Sequence, residues 1–162
     1  MTKSNKKGFT LIELLIVIAI IGLISVLAVT ALKNAKEKTR NAKRKYDLKQ
    51  IHTALELYYD NRRTYPSEDW CDSSKGSCAT ACPCAGSDWN YAATRIAGSL
   101  RNDNLMQNLP KDPLNNTTYY YWYEPDCNQG TCVGQGCCYY EIGVSLEGSG
   151  SFRLQGGKNV TN

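Results

Sequence analysis

Hydrophobic and polar positions follow two different regimes along this chain. From Leu14 to Leu32 nearly every residue is Leu, Ile, Val or Ala, interrupted by Gly22, Ser25 and Thr30. A run of about 20 apolar residues is long enough to cross a bilayer as a helix. A helix also satisfies its own backbone hydrogen bonds, which lipid cannot do. Further on, Leu48, Ile51, Leu55 and Tyr58 recur at helical spacing with Ala54 beside them, and Lys49, Gln50, Thr53, Glu56 and Asp60 fill the other face. The first proline is Pro66. The pattern therefore predicts one helix from Phe9 to Asn61, roughly 80 Å long at 1.5 Å per residue. It is apolar all round in its first half and amphipathic in its second. The apolar stripe of the second half is predicted to dock a globular domain.

Past Asn61 the texture changes. Asn61-Arg62-Arg63-Thr64-Tyr65-Pro66 ends the helix, and Ser67 to Asp88 reads as a Ser/Gly/Cys-rich loop. Ala92 to Leu105 has a short helical pattern, and Leu109-Pro110-Lys111-Asp112-Pro113 is a turn. Thr118 to Tyr123, aromatic at five consecutive positions, predicts a strand with Tyr119, Tyr121 and Tyr123 on one face and Tyr120 and Trp122 on the other. Cys138 to Leu146 and Ser151 to Leu154 predict two more strands, joined as a hairpin through Gly148-Ser149-Gly150. Gly156 to Asn162 reads as a loose tail. The expected fold class is α+β: a long N-terminal helix packed on a small antiparallel sheet.

Eight cysteines, Cys71, Cys78, Cys82, Cys84, Cys127, Cys132, Cys137 and Cys138, all fall in the C-terminal half. An even number of cysteines in a small domain behind an export segment reads as a disulfide framework. Zinc is the rival, but no Cys-x2-Cys pair occurs and the single histidine, His52, lies upstream on the predicted helix. Aliphatic residues are sparse from Pro66 onward, and small domains with thin cores often add covalent links. Pairing is open among the eight. Adjacent Cys137 and Cys138 are expected to bond to different partners, because neighbours on a chain reach each other only with strain. No paired catalytic carboxylates and no Gly-rich phosphate loop stand out. The expectation is a structural protein, with no enzyme activity, no cofactor and no metal.

Charge sharpens the division. The formal net charge is +4, and removing Lys3, Lys6 and Lys7 from it leaves +1. That near-neutrality argues against nucleic acid as a general partner. Lys33 to Lys49 nonetheless holds eight basic residues (Lys33, Lys36, Lys38, Arg40, Lys43, Arg44, Lys45 and Lys49) against Glu37 and Asp47. This stretch reads as a collar facing solvent or lipid headgroups. By the positive-inside rule it would face the cytoplasm. The cysteines downstream require the oxidising side instead.

The N-terminal motif resolves that conflict. Lys6-Lys7-Gly8-Phe9-Thr10-Leu11-Ile12-Glu13 runs straight into the apolar segment. An acidic residue at the head of a membrane-length run is expensive and calls for a function. A cleaved secretory signal does not fit, since the apolar run exceeds the usual ~7–15 residues and charged Lys33-Asn34-Ala35-Lys36 follows it. The motif resembles the class III signal of the type IV pilin and pseudopilin superfamily. The resemblance implies cleavage between Gly8 and Phe9 by a prepilin peptidase, N-methylation of Phe9, and retention of the helix. Residues 1–8 would then be a leader that faces the cytoplasm, 9–32 a transmembrane and assembly helix, 33–62 its amphipathic continuation, and 63–162 a cysteine-rich head outside.

In this scheme the new amine of Phe9 is charged near neutral pH. Glu13, four residues on, would pair with the Phe9 amine of a neighbouring subunit, and removing one partner of such a buried pair costs about 3–5 kcal/mol. The resemblance further implies copies of the chain itself, a prepilin peptidase/N-methyltransferase, a platform membrane protein and a cytoplasmic assembly ATPase as partners. The expected role is a subunit of a surface type IV pilus-like filament for adhesion, motility or DNA uptake. Two alternatives stand beside it: a type II secretion pseudopilin driving protein export, and a single-pass membrane protein with a receptor-like ectodomain. Major pseudopilins carry an acidic calcium loop near the C-terminus, where this chain has only Glu141 and Glu147.

Overall fold

A computed structural model of the chain describes residues 8–67, 89, 95–127, 137–148 and 150–157. Cys71, Cys78, Cys82, Cys84 and Cys132, with the predicted Ser67 to Asp88 loop from Glu68 on, lie outside the described residues. The elements are α1 (Leu11–Arg62), α2 (Arg95–Asn102), β1 (Tyr121–Asp126), β2 (Tyr139–Ser145) and β3 (Ser151–Gly157). The sheet is antiparallel in the order β1-β2-β3. The α+β class expected from the sequence is the one observed. The chain divides into two compact units, Met1–Thr39 and Arg40–Asn162.

α1 is uninterrupted for 52 residues. It begins at Leu11 because Thr10 caps it, and it ends because Arg63 takes a left-handed conformation (φ 58°) while its N–H still closes on the Tyr59 carbonyl at 2.7 Å. Within the first unit the apolar side chains are exposed all round the helix. The two hydroxyls in that stretch turn inward on the backbone: Ser25 Oγ donates to the Ile21 carbonyl at 2.7 Å and Thr30 Oγ1 to the Leu27 carbonyl at 2.9 Å.

In the second unit, Leu48, Ile51, Ala54 and Leu55 are buried as the stripe predicts, with Tyr58 half-buried beside them. They pack against Ile96, Ala97 and Leu100 of α2, Leu109, and Ile142 and Val144 of β2. The largest pieces of this core are aromatic: Tyr65, Trp89, Tyr121, Tyr123 and Tyr140. Each sends its polar end to a partner, as buried Tyr and Trp require. The Tyr121 hydroxyl donates to Asp47 (2.9 Å), that of Tyr123 to the Pro66 carbonyl (2.7 Å), that of Tyr65 to Glu56 (3.1 Å), and Trp89 Nε1 to the Pro110 carbonyl (3.2 Å). Tyr140 bridges His52 Nδ1 (2.6 Å) and Glu56 (3.0 Å). His52 is thus a half-buried helix residue tied to the sheet.

Three expectations need correction. The first strand is Tyr121–Asp126, three residues later than Thr118 to Tyr123. Its inward face is Tyr121 and Tyr123, with Trp122 outward, so the alternation holds. Tyr119 precedes the strand. Pairing sets the register: Tyr121 lies opposite Val144 and Tyr123 opposite Ile142, which brings the apolar residues of both strands onto the core face. Pro125 is accommodated because β1 is an edge strand.

The second correction concerns α2, which is shorter than Ala92 to Leu105 and ends at Asn102. The third concerns the tail. Gly156 and Gly157 belong to β3, opposite Tyr140 and Tyr139. A Cβ at Gly156 would collide with Glu56 and the Tyr140 ring, so only glycine lets β3 approach there. The predicted hairpin is formed, with Gly148 (φ 93°) and Gly150 (φ 83°) in the left-handed region that its turn needs.

Cys127 and Cys137 form a disulfide that ties the end of β1 to the start of β2. Closing a loop of this size contributes about 2–3 kcal/mol. Cys138 is disulfide-bonded as well, so the adjacent pair does bond to different partners. The Tyr65 N–H donates to the Cys137 carbonyl at 2.7 Å, which pins the segment after α1 to the same corner.

Candidate functional site

Gly8 and Phe9 stand just before α1, and Phe9 is 77% exposed. Thr10 and Glu13 then cap the helix reciprocally. The Glu13 carboxylate accepts from the Thr10 N–H at 2.8 Å and from its hydroxyl at 2.7 Å, while the Glu13 N–H donates to Thr10 Oγ1 at 3.3 Å. This is a capping box, in which two otherwise unpaired backbone donors at a helix start are satisfied. The sequence reading expects Glu13 to pair with an amine; within the chain its carboxylate starts the helix instead, through the Thr-x-x-Glu spacing. The acid sits at the helix N-terminus, where the helix dipole favours negative charge.

Behind this cap the exposed apolar stretch begins. Leu11, Ile12, Leu14, Leu15, Ile16, Val17, Ile18 and the residues that follow to Leu32 are left uncovered by the chain's own fold. Soluble monomers rarely expose a contiguous apolar surface of that extent, so it marks a membrane or subunit contact.

The second unit carries its own charged centre. Arg44, expected in the exposed collar, is fully buried. Its guanidinium is forked onto Asp112 (2.6 and 3.0 Å) and also reaches Glu147 (2.6 Å) and Asn41 (2.8 Å). Arg40, expected beside it, is half-buried and bonds Glu147 through Nε at 2.6 Å and through Nη2. Asn41 completes the clasp, donating to the Glu147 carbonyl (2.9 Å) and accepting its N–H (3.1 Å). The Asp112 Oδ1 atom additionally accepts from the Leu114 N–H at 2.8 Å.

These contacts tie α1 to the β2–β3 turn and to the loop before β1. They also set the charge states. Hydrogen bonds from Arg40 and Arg44 hold the Glu147 carboxyl down to about 2, against the opposing effect of burial. Burial works to lower the Arg44 value, and the Asp112 and Glu147 carboxylates outweigh it and raise it. Burial pushes the neighbouring Asp47 carboxyl up. On the outer face of the sheet, Glu141 is engaged by Arg153 and Gln155, both at 2.8 Å. Among the described residues no group of three or more His, Cys, Asp or Glu is placed to hold a metal ion.

Residues 3–29 match the family model of the prokaryotic N-terminal methylation motif. Beyond that motif, the chain is 30% identical over 121 residues to the type II secretion system core protein G of Vibrio cholerae, covering 74% of each chain. The chain belongs to the type IV pilin and pseudopilin superfamily. The core protein G of Aeromonas hydrophila is 29% identical over 72% of this chain and 73% of its own. The type IV major pilin PilA of Myxococcus xanthus is 34% identical over 61 residues, 38% of this chain and 28% of that pilin. No solved structure matches the chain significantly. The balance between secretion and pilus relatives runs opposite to the first expectation. Similarity to core protein G extends over most of the chain, whereas similarity to the pilin covers little more than a third. Members of this superfamily are structural subunits.

Proposed function

We propose that this chain is a pseudopilin, a structural subunit of a filament that drives protein export. The supporting observation is similarity to core protein G of type II secretion over about three quarters of the chain, which takes in residues well beyond the motif shared with pilins. In this reading the leader is removed between Gly8 and Phe9, and Phe9 is N-methylated. The precursor waits in the cytoplasmic membrane with its C-terminal domain outside. Glu13 then exchanges its intrachain bond to Thr10 for the Phe9 amine of an adjacent copy as the subunits stack. The partners are other copies of the chain, the prepilin peptidase/N-methyltransferase, a platform membrane protein and the assembly ATPase acting from the cytoplasm.

The match to a major pilin supports a second reading, in which the filament is a surface pilus. Deleting the chromosomal copy separates the two. Loss of exported enzymes without loss of surface fibres supports export. Loss of fibres and motility with secretion intact overturns it. The mature N-terminus is the independent check on processing: a chain that keeps Met1 to Gly8 is a plain membrane protein with a receptor-like ectodomain.

A further inference from the structure

The basic residues after the apolar segment are not one collar. Arg40 and Arg44 are consumed inside the second unit by Glu147 and Asp112. Lys33, Lys36 and Lys38, in the first unit, are exposed, and no ion pair holds any of them among the described residues. They follow directly on Leu32, the last residue of the apolar run.

We infer that Lys33, Lys36 and Lys38 form a binding collar for anionic phospholipid headgroups at the C-terminal end of the membrane span. The inference rests on the membrane-anchored precursor proposed above. Two geometric facts select this partner. The first is depth. At about 1.5 Å per residue, Lys36 and Lys38 lie roughly 5 and 8 Å beyond Lys33 along the axis, and the headgroup layer is about 5–7 Å thick on each side of the hydrocarbon. Lys33 and Lys36 therefore lie at phosphate level when the apolar run fills the bilayer, and Lys38, just past that layer, reaches back into it because helical side chains tilt toward the helix N-terminus. The second is direction. At about 100° per residue, Lys36 sits roughly 60° to one side of Lys33 and Lys38 roughly 140° to the other. The charges spread over more than half the helix circumference. A protein partner docks on one face, whereas lipid lies against the helix on every side and can meet all three lysines. Glu37, half-buried in the same turn, is the one acidic side chain between Lys33 and Thr39 and leaves the ring with a net positive charge.

The same feature accounts for the conflict with the positive-inside rule. Negative headgroups next to the collar offset the cost of carrying more lysines on the C-terminal flank than that rule favours. Assembly would then require three ammonium groups to leave their phosphates as the helix leaves the bilayer, so anionic lipid slows entry into the filament.

The test uses the full chain in nanodiscs of equal phosphatidylglycerol and phosphatidylcholine, with retained lipid identified by native mass spectrometry. Surface lysines gain about fivefold each against an anionic membrane. The unsubstituted chain is expected to retain phosphatidylglycerol at least about tenfold over phosphatidylcholine. K33Q/K36Q/K38Q falls to near parity, whereas K43Q/K45Q/K49Q keeps the preference. Millimolar inorganic phosphate leaves the retained lipid unchanged. Equal retention of both lipids by the unsubstituted chain, an unchanged preference in K33Q/K36Q/K38Q, or displacement by free phosphate overturns the collar. A chain that does not enter the disc overturns the membrane reading and the collar together. A chain that enters and retains the two lipids equally overturns the collar alone.

Discussion

The first 39 residues and the remainder of the chain solve opposite problems. In Arg40–Asn162 the apolar side chains of α1 find partners on α2 and the sheet, and even a guanidinium is fully enclosed. In the first unit the apolar side chains of the described residues stay exposed. Burial contributes about 25 cal/mol per Å² of apolar surface wherever it occurs. The second unit collects that contribution on folding. The first collects it only from lipid or from another copy. Folding and assembly are therefore governed by different residues of one helix, and substitutions should separate them.

Arg44→Ala is expected to have the largest effect on the second unit. It strands the buried Asp112 and leaves Glu147 to Arg40 alone, and should cost about 3–5 kcal/mol. Denaturant unfolding followed by tyrosine and tryptophan fluorescence measures it. A loss below about 1 kcal/mol would mean that the clasp is dispensable. Ile51→Ala removes a fully buried side chain and should cost about 2–5 kcal/mol in the same assay. Ile18→Ala, on the exposed stretch of the same helix, should leave unfolding in detergent unchanged and show itself only in filament yield. Equal losses from the two alanines would erase the distinction between the units.

Acid should act on the clasp with a definite sign. The Glu147 carboxyl is held below its ordinary value in the folded chain. Its contribution is complete above about pH 4.5 and disappears as pH falls toward 2, a loss of at most about 3 kcal/mol. Asp47, pushed up by burial, opposes this, because its protonation on acidification favours the folded state. Unfolding titrations between pH 5 and 2 should therefore show falling stability in the unsubstituted chain and a flatter profile in Glu147→Gln. The smallest effect belongs to Thr10→Ala, which removes half of the capping box and should cost the helix start about 1 kcal/mol. Amide exchange at Leu11 to Leu14 in detergent detects that fraying, with Ile51 unaffected.

Much of this was legible in the sequence, and the misses share a cause. The extent of α1 followed from a pattern without proline, and the N-terminal methylation motif from contiguous residues. The start of β1 was misplaced because five consecutive aromatics carry no polar alternation. Its true register depends on Ile142 and Val144, about 20 residues away. Arg44 looked like one of eight similar cations, and the partners that distinguish it lie 68 and 103 residues further on. Gly156 looked like tail for the same reason, since what it must fit against is Glu56 on α1. The capping box was readable from Thr10 and Glu13 alone, but a stronger reading of the same acid stood in front of it.

The clasp has a mechanical consequence. Arg40, Asn41 and Arg44 fasten the first turns of α1 within the second unit to the far end of the β2–β3 hairpin, so tension drawn along the helix enters the sheet at its turn rather than at a free strand end. Separating helix from hairpin would require several charged bonds to break at once. A subunit hauled by its helix is thereby guarded against being unravelled from the point of pull.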